Sequence, residues 1–246
     1  MSNFHVIYPG KQGLLAKLFP PKPLSSEVPK LQGKVAIVTG SACPLSLETA
    51  HKLLSYGLSK LILTLPPHAD AEEVGEILQD KFPKVDIEAW HLDMESYASV
   101  RDFAHHADLL LDRLDIVILN DHIVTKHFDV VPGIGHEKGF QVNYFSTLLL
   151  GILLLPLLKE RPSIGEPGRL TIVGPEHSYE ALGVPYKGSL LDHIQARSQW
   201  QSPFRRYKNS MCFTRRFATE LANIVSSDEV ISIFVSPGPV KNIALL

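Results

Sequence analysis

The segment Lys34-Val35-Ala36-Ile37-Val38-Thr39-Gly40 is a short, unbroken, β-branched apolar run closed by a glycine. A strand covered on both faces of a parallel sheet has this composition, because neither face meets water. Leu47, Ala50 and Leu54 follow at helical spacing, and Gly57 ends that helix. The same unit repeats outward from here. Leu61 to Leu65 reads as a second strand, stopped by Pro66-Pro67, and residues 71–81 as a helix. Val85 to Leu92 alternates into a third strand that ends at Asp93. Ser96 to Leu111 is helical, with Ser96 as its cap. Ile116 to Leu119, Leu170 to Val173 and Val230 to Val235 give the fourth, fifth and sixth strands. Gly139 to Leu158 and Tyr207 to Ile224 are the long helices between them, and residues 174–205 read as irregular. Strands alternating with crossover helices predict right-handed βαβ units and an α/β, doubly wound parallel sheet in a single domain.

The chain has 246 residues, 45% of them hydrophobic, enough for one sizeable core. We divide it into an N-terminal extension, residues 1–30, and a main domain, residues 31–246. Pro20, Pro21 and Pro23 stop the short amphipathic stretch Leu14 to Phe19, which is expected to pack on the main domain. A formal net charge of −2 gives no footprint for nucleic acid or an anionic membrane. The eleven histidines show no metal-ligand spacing, and the adjacent His105 and His106 read as solvated surface. Cys43 and Cys212 set no disulfide framework and fit a reducing compartment, the cytoplasm. No secretory leader is expected. The most apolar run, Leu148 to Leu158, is eleven residues and too short to span a bilayer, so no membrane span is expected.

Several ordered segments resemble one family. Lys34 to Gly40 with Leu47-Glu48-Thr49-Ala50, Trp90-His91-Leu92-Asp93, Leu114 to Asn120, Gln141-Val142-Asn143-Tyr144, Arg169 to Val173 and Ser236-Pro237-Gly238 are similar, in order and spacing, to short-chain dehydrogenases/reductases. The resemblance covers about residues 31–242 and is nearest to a branch common in fungi. It implies a Rossmann-like fold and an NADP-leaning carbonyl or alcohol oxidoreductase of secondary metabolism, acting on a small lipophilic molecule. It implies a homodimer paired through helices 139–158 and 207–224. It makes Tyr207 the general acid/base and Asn143 the holder of a relay water through a helix irregularity. Around the cofactor it places Gly40, Ser41 and Leu45 in the phosphate loop, Asp93 at the adenine, Asn120 at the end of the fourth strand, and Gly238 and Val240 after the sixth.

The pattern breaks around that cleft. The phosphate loop should read Thr-Gly-x-x-x-Gly-x-Gly but reads Thr39-Gly40-Ser41-Ala42-Cys43-Pro44-Leu45-Ser46. Pro44 has no N–H to offer a phosphate, and Ser46 adds a side chain where backbone should approach closely. Asn-Ala-Gly is replaced by Asn120-Asp121-His122, whose side chains crowd and repel a dinucleotide. An Asp121–His122 catalytic pair is disfavoured, since adjacent residues leaving a strand point to opposite faces. The second strand ends at Leu65-Pro66-Pro67-His68, without the acidic or basic residue that sorts NAD from NADP. Gly174-Pro175 stands where a serine pair should supply a carbonyl donor, a kind of loss worth about 3–4 kcal/mol elsewhere. Met211 stands where a lysine should hold the ribose and lower the phenol pKa of Tyr207. Glu176, His177, Ser178 and Lys208 are the nearby candidates to substitute. Only eight residues follow Pro237-Gly238, so a substrate-covering loop and last strand are expected to be missing. These breaks predict weak or lost redox activity. The alternatives are a non-redox isomerase or cyclase using the same cleft, and a non-catalytic binding protein.

Overall fold

The computed structural model describes residues 5–7, 30–41, 43–69, 75, 78–163, 165–175, 189–200 and 202–237. Seven strands form one parallel sheet: β1 His5–Ile7, β2 Val35–Val38, β3 Lys60–Leu65, β4 Asp86–His91, β5 Ile116–Leu119, β6 Gly168–Val173 and β7 Val230–Val235. Their order is β1-β7-β6-β5-β2-β3-β4, with every neighbouring pair parallel. The order reverses between β2 and β5, the switch point where a doubly wound sheet opens a crevice. The six expected strands are all present. β1 is an addition: His5, Val6 and Ile7 pair with Ile233, Phe234 and Val235 at the far edge. Part of the lead thus belongs to the sheet, while the stretch from Leu14 to Phe19 lies outside the described residues.

Five helices are defined: α1 Pro44–Ser55, α2 Tyr97–Leu110, α3 Lys138–Glu160, α4 Leu190–Gln195 and α5 Pro203–Ile224. Residues 75 and 78–81 are also helical, within the 71–81 segment read from the sequence. The 174–205 stretch holds α4 and a short 3₁₀ turn, Arg197–Gln199. Helix α5 begins a turn earlier than expected, because Ser202 caps it and Pro203 occupies its first position.

The alternation of β2 splits the core. Val35 and Ile37 join one buried cluster with β5, β6 and helices α2, α3 and α5. Ala36 and Val38 join the other, with Ala50 and Leu54 of α1 and with Leu78. Both faces of β2 and β3 are covered, so both strands read as continuous apolar runs.

Helix α3 is longer than the apolar run suggested. Its 23 residues are long and apolar enough to cross a membrane by length and composition. Leu150, Leu154 and Leu158 are nevertheless fully buried in the core, and the helix packs on α2, β5 and β6. Close approach to β6 depends on Gly168, where a Cβ would fall inside the carbonyl of Leu158. Gly168→Ala is therefore expected to destabilise the fold by about 3 kcal/mol, because backbone yields less readily than a side chain. Urea unfolding against wild type checks this; a loss below about 1 kcal/mol would show that the helix and strand slide apart freely.

Candidate active site

The cleft lies at the carboxyl ends of β2, β4 and β5, under the N-terminus of α1 and beside the start of α5. Its scaffold is the side chain of Thr39, which is fully buried. Thr39 Oγ1 accepts from Asn120 N at 2.9 Å and from Asp121 N at 3.0 Å. This ties the end of β2 to the end of β5.

The phosphate loop turns back on the protein. Gly40 has φ +77°, a conformation that favours glycine, and its N–H donates to Thr64 Oγ1 at 3.1 Å. Ser41 N donates to the Thr64 carbonyl at 3.2 Å, and the Ser41 hydroxyl donates to the same oxygen. Cys43 N donates to Gly40 O at 2.9 Å. Cys43 is the N-cap of α1 and Pro44 its first residue. The N–H groups of Gly40, Ser41 and Cys43 are thus committed within the chain. Ser46, standing where the resemblance calls for glycine, is fully buried. Its hydroxyl donates to Thr39 O at 3.0 Å and accepts from Asn120 Nδ2 at 2.6 Å. Leu45 is half-buried on the first turn of α1.

Asn120 therefore braces α1, and its Oδ1 is buried without a protein partner. Asp93 closes β4 as a turn residue. Its Oδ1 accepts from Glu95 N at 2.9 Å, and its own N–H donates to Ser99 Oγ at 2.9 Å. Asp121 and His122 diverge, as strand geometry requires. The charge acting on Asp121 is Asp93, whereas His122 packs its ring on Tyr207 with centroids 5.5 Å apart. Burial, aided by Asp93, raises the Asp121 acid to about 6. Burial lowers the His122 imidazole to about 4, against a hydrogen bond that the ring donates to the Asn120 backbone carbonyl, which favours its charge. His122 is therefore neutral near pH 7.

Asn143 sits in a π-helical segment of α3, Gln141–Ser146. Such segments arise where a residue is inserted to aim a group, commonly at functional sites. Here the carbonyl of Asn143 accepts from Thr214 Oγ1 of α5 at 2.6 Å. Its side-chain Oδ1 accepts from Ile123 N at 2.8 Å, and Nδ2 donates to Ile123 O and to Ser210 Oγ, both at 2.9 Å. Both amide hydrogens are thus in use. Asn143 brackets the segment after β5 against α5.

Tyr207 is half-buried against the core. Burial pushes its phenol above the ordinary range, and Cys43 adds to the rise. A charged lysine one turn away would act in the opposite sense. Met211, in that position, is 2% exposed and part of the main core cluster. Its methyl lies 2.7 Å from where a Cβ on Gly174 would begin, and the Phe234 ring is closer still. A serine at 174 therefore has no room. Lys208 points elsewhere, its ammonium 4.8 Å from the exposed Phe204 ring. His68 is exposed beyond β3. Glu176, His177, Ser178, Gly238 and Val240 lie outside the described residues.

One device escaped the sequence reading. Glu137 and Arg206 form an ion pair, 3.2 Å apart, with side chains 0% and 2% exposed. Glu137 also accepts from Phe140 N at 3.0 Å and Thr125 Oγ1 at 3.3 Å, and Arg206 lies 4.8 Å over the Phe140 ring. The pair pins the loop before α3 to the residue next to Tyr207. The two partners are far apart in sequence, and neither has a local signature. Among the described residues no group of three or more His, Cys, Asp or Glu side chains is placed to hold a metal. His105 and His106 are exposed; His106 packs edge-on to Trp90, 4.6 Å between centroids, at a surface depression of about 580 Å³ beyond β4.

Three variants test this electrostatic layout. Arg206→Met should destabilise by about 3–5 kcal/mol by stranding the Glu137 charge, and adding Glu137→Gln should recover part of it. An additive double variant in denaturant unfolding would contradict a coupled pair. Asp121→Asn should stabilise at pH 7.5 by on the order of 3 kcal/mol. The native acid is raised from 3.8 to about 6, so its cost is absent below pH 3.8 and grows as pH rises through about 6. The stabilisation should therefore vanish near pH 4; a gain independent of pH would point to packing instead.

The sequence model of the family described as short chain dehydrogenase matches residues 34–170. The chain is 39% identical over 216 residues to the short chain dehydrogenase/reductase mfmJ of Annulohypoxylon moriforme, covering 87% of this chain and 62% of that protein. It is 38% identical over 224 residues to the short chain dehydrogenase opdN of Penicillium oxalicum, covering 88% and 72%. It is 38% identical over 220 residues to the short chain dehydrogenase virL of Hypocrea virens, covering 89% and 63%. The chain thus spans about three fifths to three quarters of the length of these relatives. Among solved structures, the Pseudomonas aeruginosa RhlG/NADP complex superposes with a TM-score of 0.65 at 23% identity, over 86% of this chain and 75% of that one. The NADH-dependent reductase A1-R′ complexed with NAD does so at 0.63 and 17% identity, over 85% and 80%. With the family's sequence model matching over half of it and most of its length matched to named fungal members, the chain belongs to the short-chain dehydrogenase/reductase family.

Proposed function

We propose that this protein is a short-chain dehydrogenase/reductase whose nicotinamide-dependent carbonyl–alcohol chemistry is weak or lost, and whose cleft binds a small lipophilic molecule beside Tyr207. The observation that carries this reading is Met211. It is packed into the core against Phe234 and beside Gly174, so a lysine at 211 would bury its ammonium and a serine at 174 has no room. Tyr207 then keeps a buried, neutral phenol, and burial moves it away from the ionisation that a proton shuttle near pH 7 needs.

The cofactor that solved neighbours carry, NADP or NAD, supports a nicotinamide dinucleotide as the ligand class. Asp93 and Asn120 suit the adenosine end. The residues at the diphosphate and nicotinamide do not fit a working hydride carrier. Gly40, Ser41 and Cys43 use their N–H groups internally, and Asp121 and His122 line the wall. Dinucleotide binding survives here in weakened form, with NADP the expected preference. A role in secondary metabolism is part of the same proposal and rests on the resemblance to the fungal branch of the family. Two free cysteines favour the cytoplasm. A homodimer through α3 and α5 is part of this reading, supported by the exposed Ile152 of α3, 48% accessible.

Titrating NADPH and NADH fluorescence with the full chain tests the reading. Millimolar dissociation and carbonyl reduction several orders of magnitude below an intact relative are expected. Micromolar binding with ordinary turnover overturns it. Met211→Lys alone is expected to lower the melting temperature without restoring reduction, because it buries an ammonium in the core.

A further inference from the structure

Asp121 stands where two parts of the cleft touch. Its N–H is held by Thr39 Oγ1, and its Cα lies 3.1 Å from the point where a side chain on Gly40 would begin. The backbone of the phosphate loop and the backbone of residue 121 are therefore in direct contact. Residue 121 therefore stands beside the loop that leads into α1, and its carboxyl is buried within the field of Asp93. The titratable groups on the elements packed round it are Asp93 from β4, Cys43 before α1, His122 on its own segment and Tyr207 from α5. None supplies a positive charge near neutral pH. The family's cation at the next turn of α5 is Met211, turned into the core.

We propose that Asp121, backed by Asp93, is a proton-operated gate against anionic ligands: charged, it excludes the diphosphate of a dinucleotide, and protonated, it admits it. This rests on the reading of the cleft as a weakened dinucleotide site. Burial and Asp93 place the transition at about 6. His122, lowered to about 4, stays neutral through that window and does not confound it.

The test is calorimetric titration of NAD⁺ into the full chain at pH 5.5 and pH 7.5, with wild type and Asp121→Asn. NAD⁺ is the probe because its diphosphate keeps its charge between these values. Wild type should bind about tenfold more tightly at the lower pH, the effect of removing one like charge at a partly buried site. Asp121→Asn should bind at both values as wild type does at pH 5.5. Binding by both proteins with the same pH dependence overturns the gate and leaves the dinucleotide reading intact. Absence of binding by folded Asp121→Asn at both values overturns both.

Discussion

The hydroxyl of Thr39 accepts two backbone N–H groups from the far side of the switch point, those of Asn120 and Asp121. The rest of the cleft follows from that knot. It fixes the end of β5 against the end of β2, which brings Asn120 within reach of Ser46 and lays residue 121 against Gly40. Asn143 then grips Ile123 by both backbone groups and reaches Ser210. His122 is held between the two clamps with its ring on Tyr207. A buried polar group without a partner costs about 1–3 kcal/mol. A chain that lacks the glycines and the cation of a cofactor site must satisfy its polar groups itself: Thr64 accepts from Gly40 N, while Ser46 and Thr214 donate to the carbonyls of Thr39 and Asn143.

The electrostatics move the same way. A dinucleotide site needs free N–H groups at a helix N-terminus and a nearby cation. This cleft offers committed N–H groups, a carboxyl at Asp121 that burial and the Asp93 charge hold back from ionising, a neutral imidazole and a desolvated phenol. The family's frame is kept: the sheet order, the π-helical segment that turns out the carbonyl of Asn143, and the position of Tyr207 on α5. The frame and the chemistry have separated because they rest on different groups. Apolar packing holds the first, and a few polar side chains at strand ends supply the second.

Much of the fold was legible because its signals are local. The apolar runs at 35–38 and 61–65 have no stable place except a doubly covered strand. The start of α5 reads a turn late in the sequence, at Tyr207, although Ser202 caps it and Pro203 takes its first position. β1 was not legible: three residues in a proline-rich lead become a strand only because β7 offers an edge. At the site, Tyr207, Met211, Pro44 and the Asp121-His122 replacement could be picked out by setting the sequence against the family pattern it resembles. That Ser46 knits the loop to Asn120, that Met211 closes the space beside Gly174, and that Glu137 pairs with Arg206 all depend on long-range contact. No local pattern carries such information. The burial that sends Asp121 and His122 in opposite directions is of the same kind.

The central claim is that the phosphate-loop donors are already satisfied within the chain. Amide hydrogen exchange at Gly40, Ser41 and Cys43, measured at pH 7.5 with and without millimolar NADP⁺, addresses it most directly. The account predicts slow exchange in the free protein and no further protection from the dinucleotide. Fast exchange that becomes slow when NADP⁺ is added would contradict it.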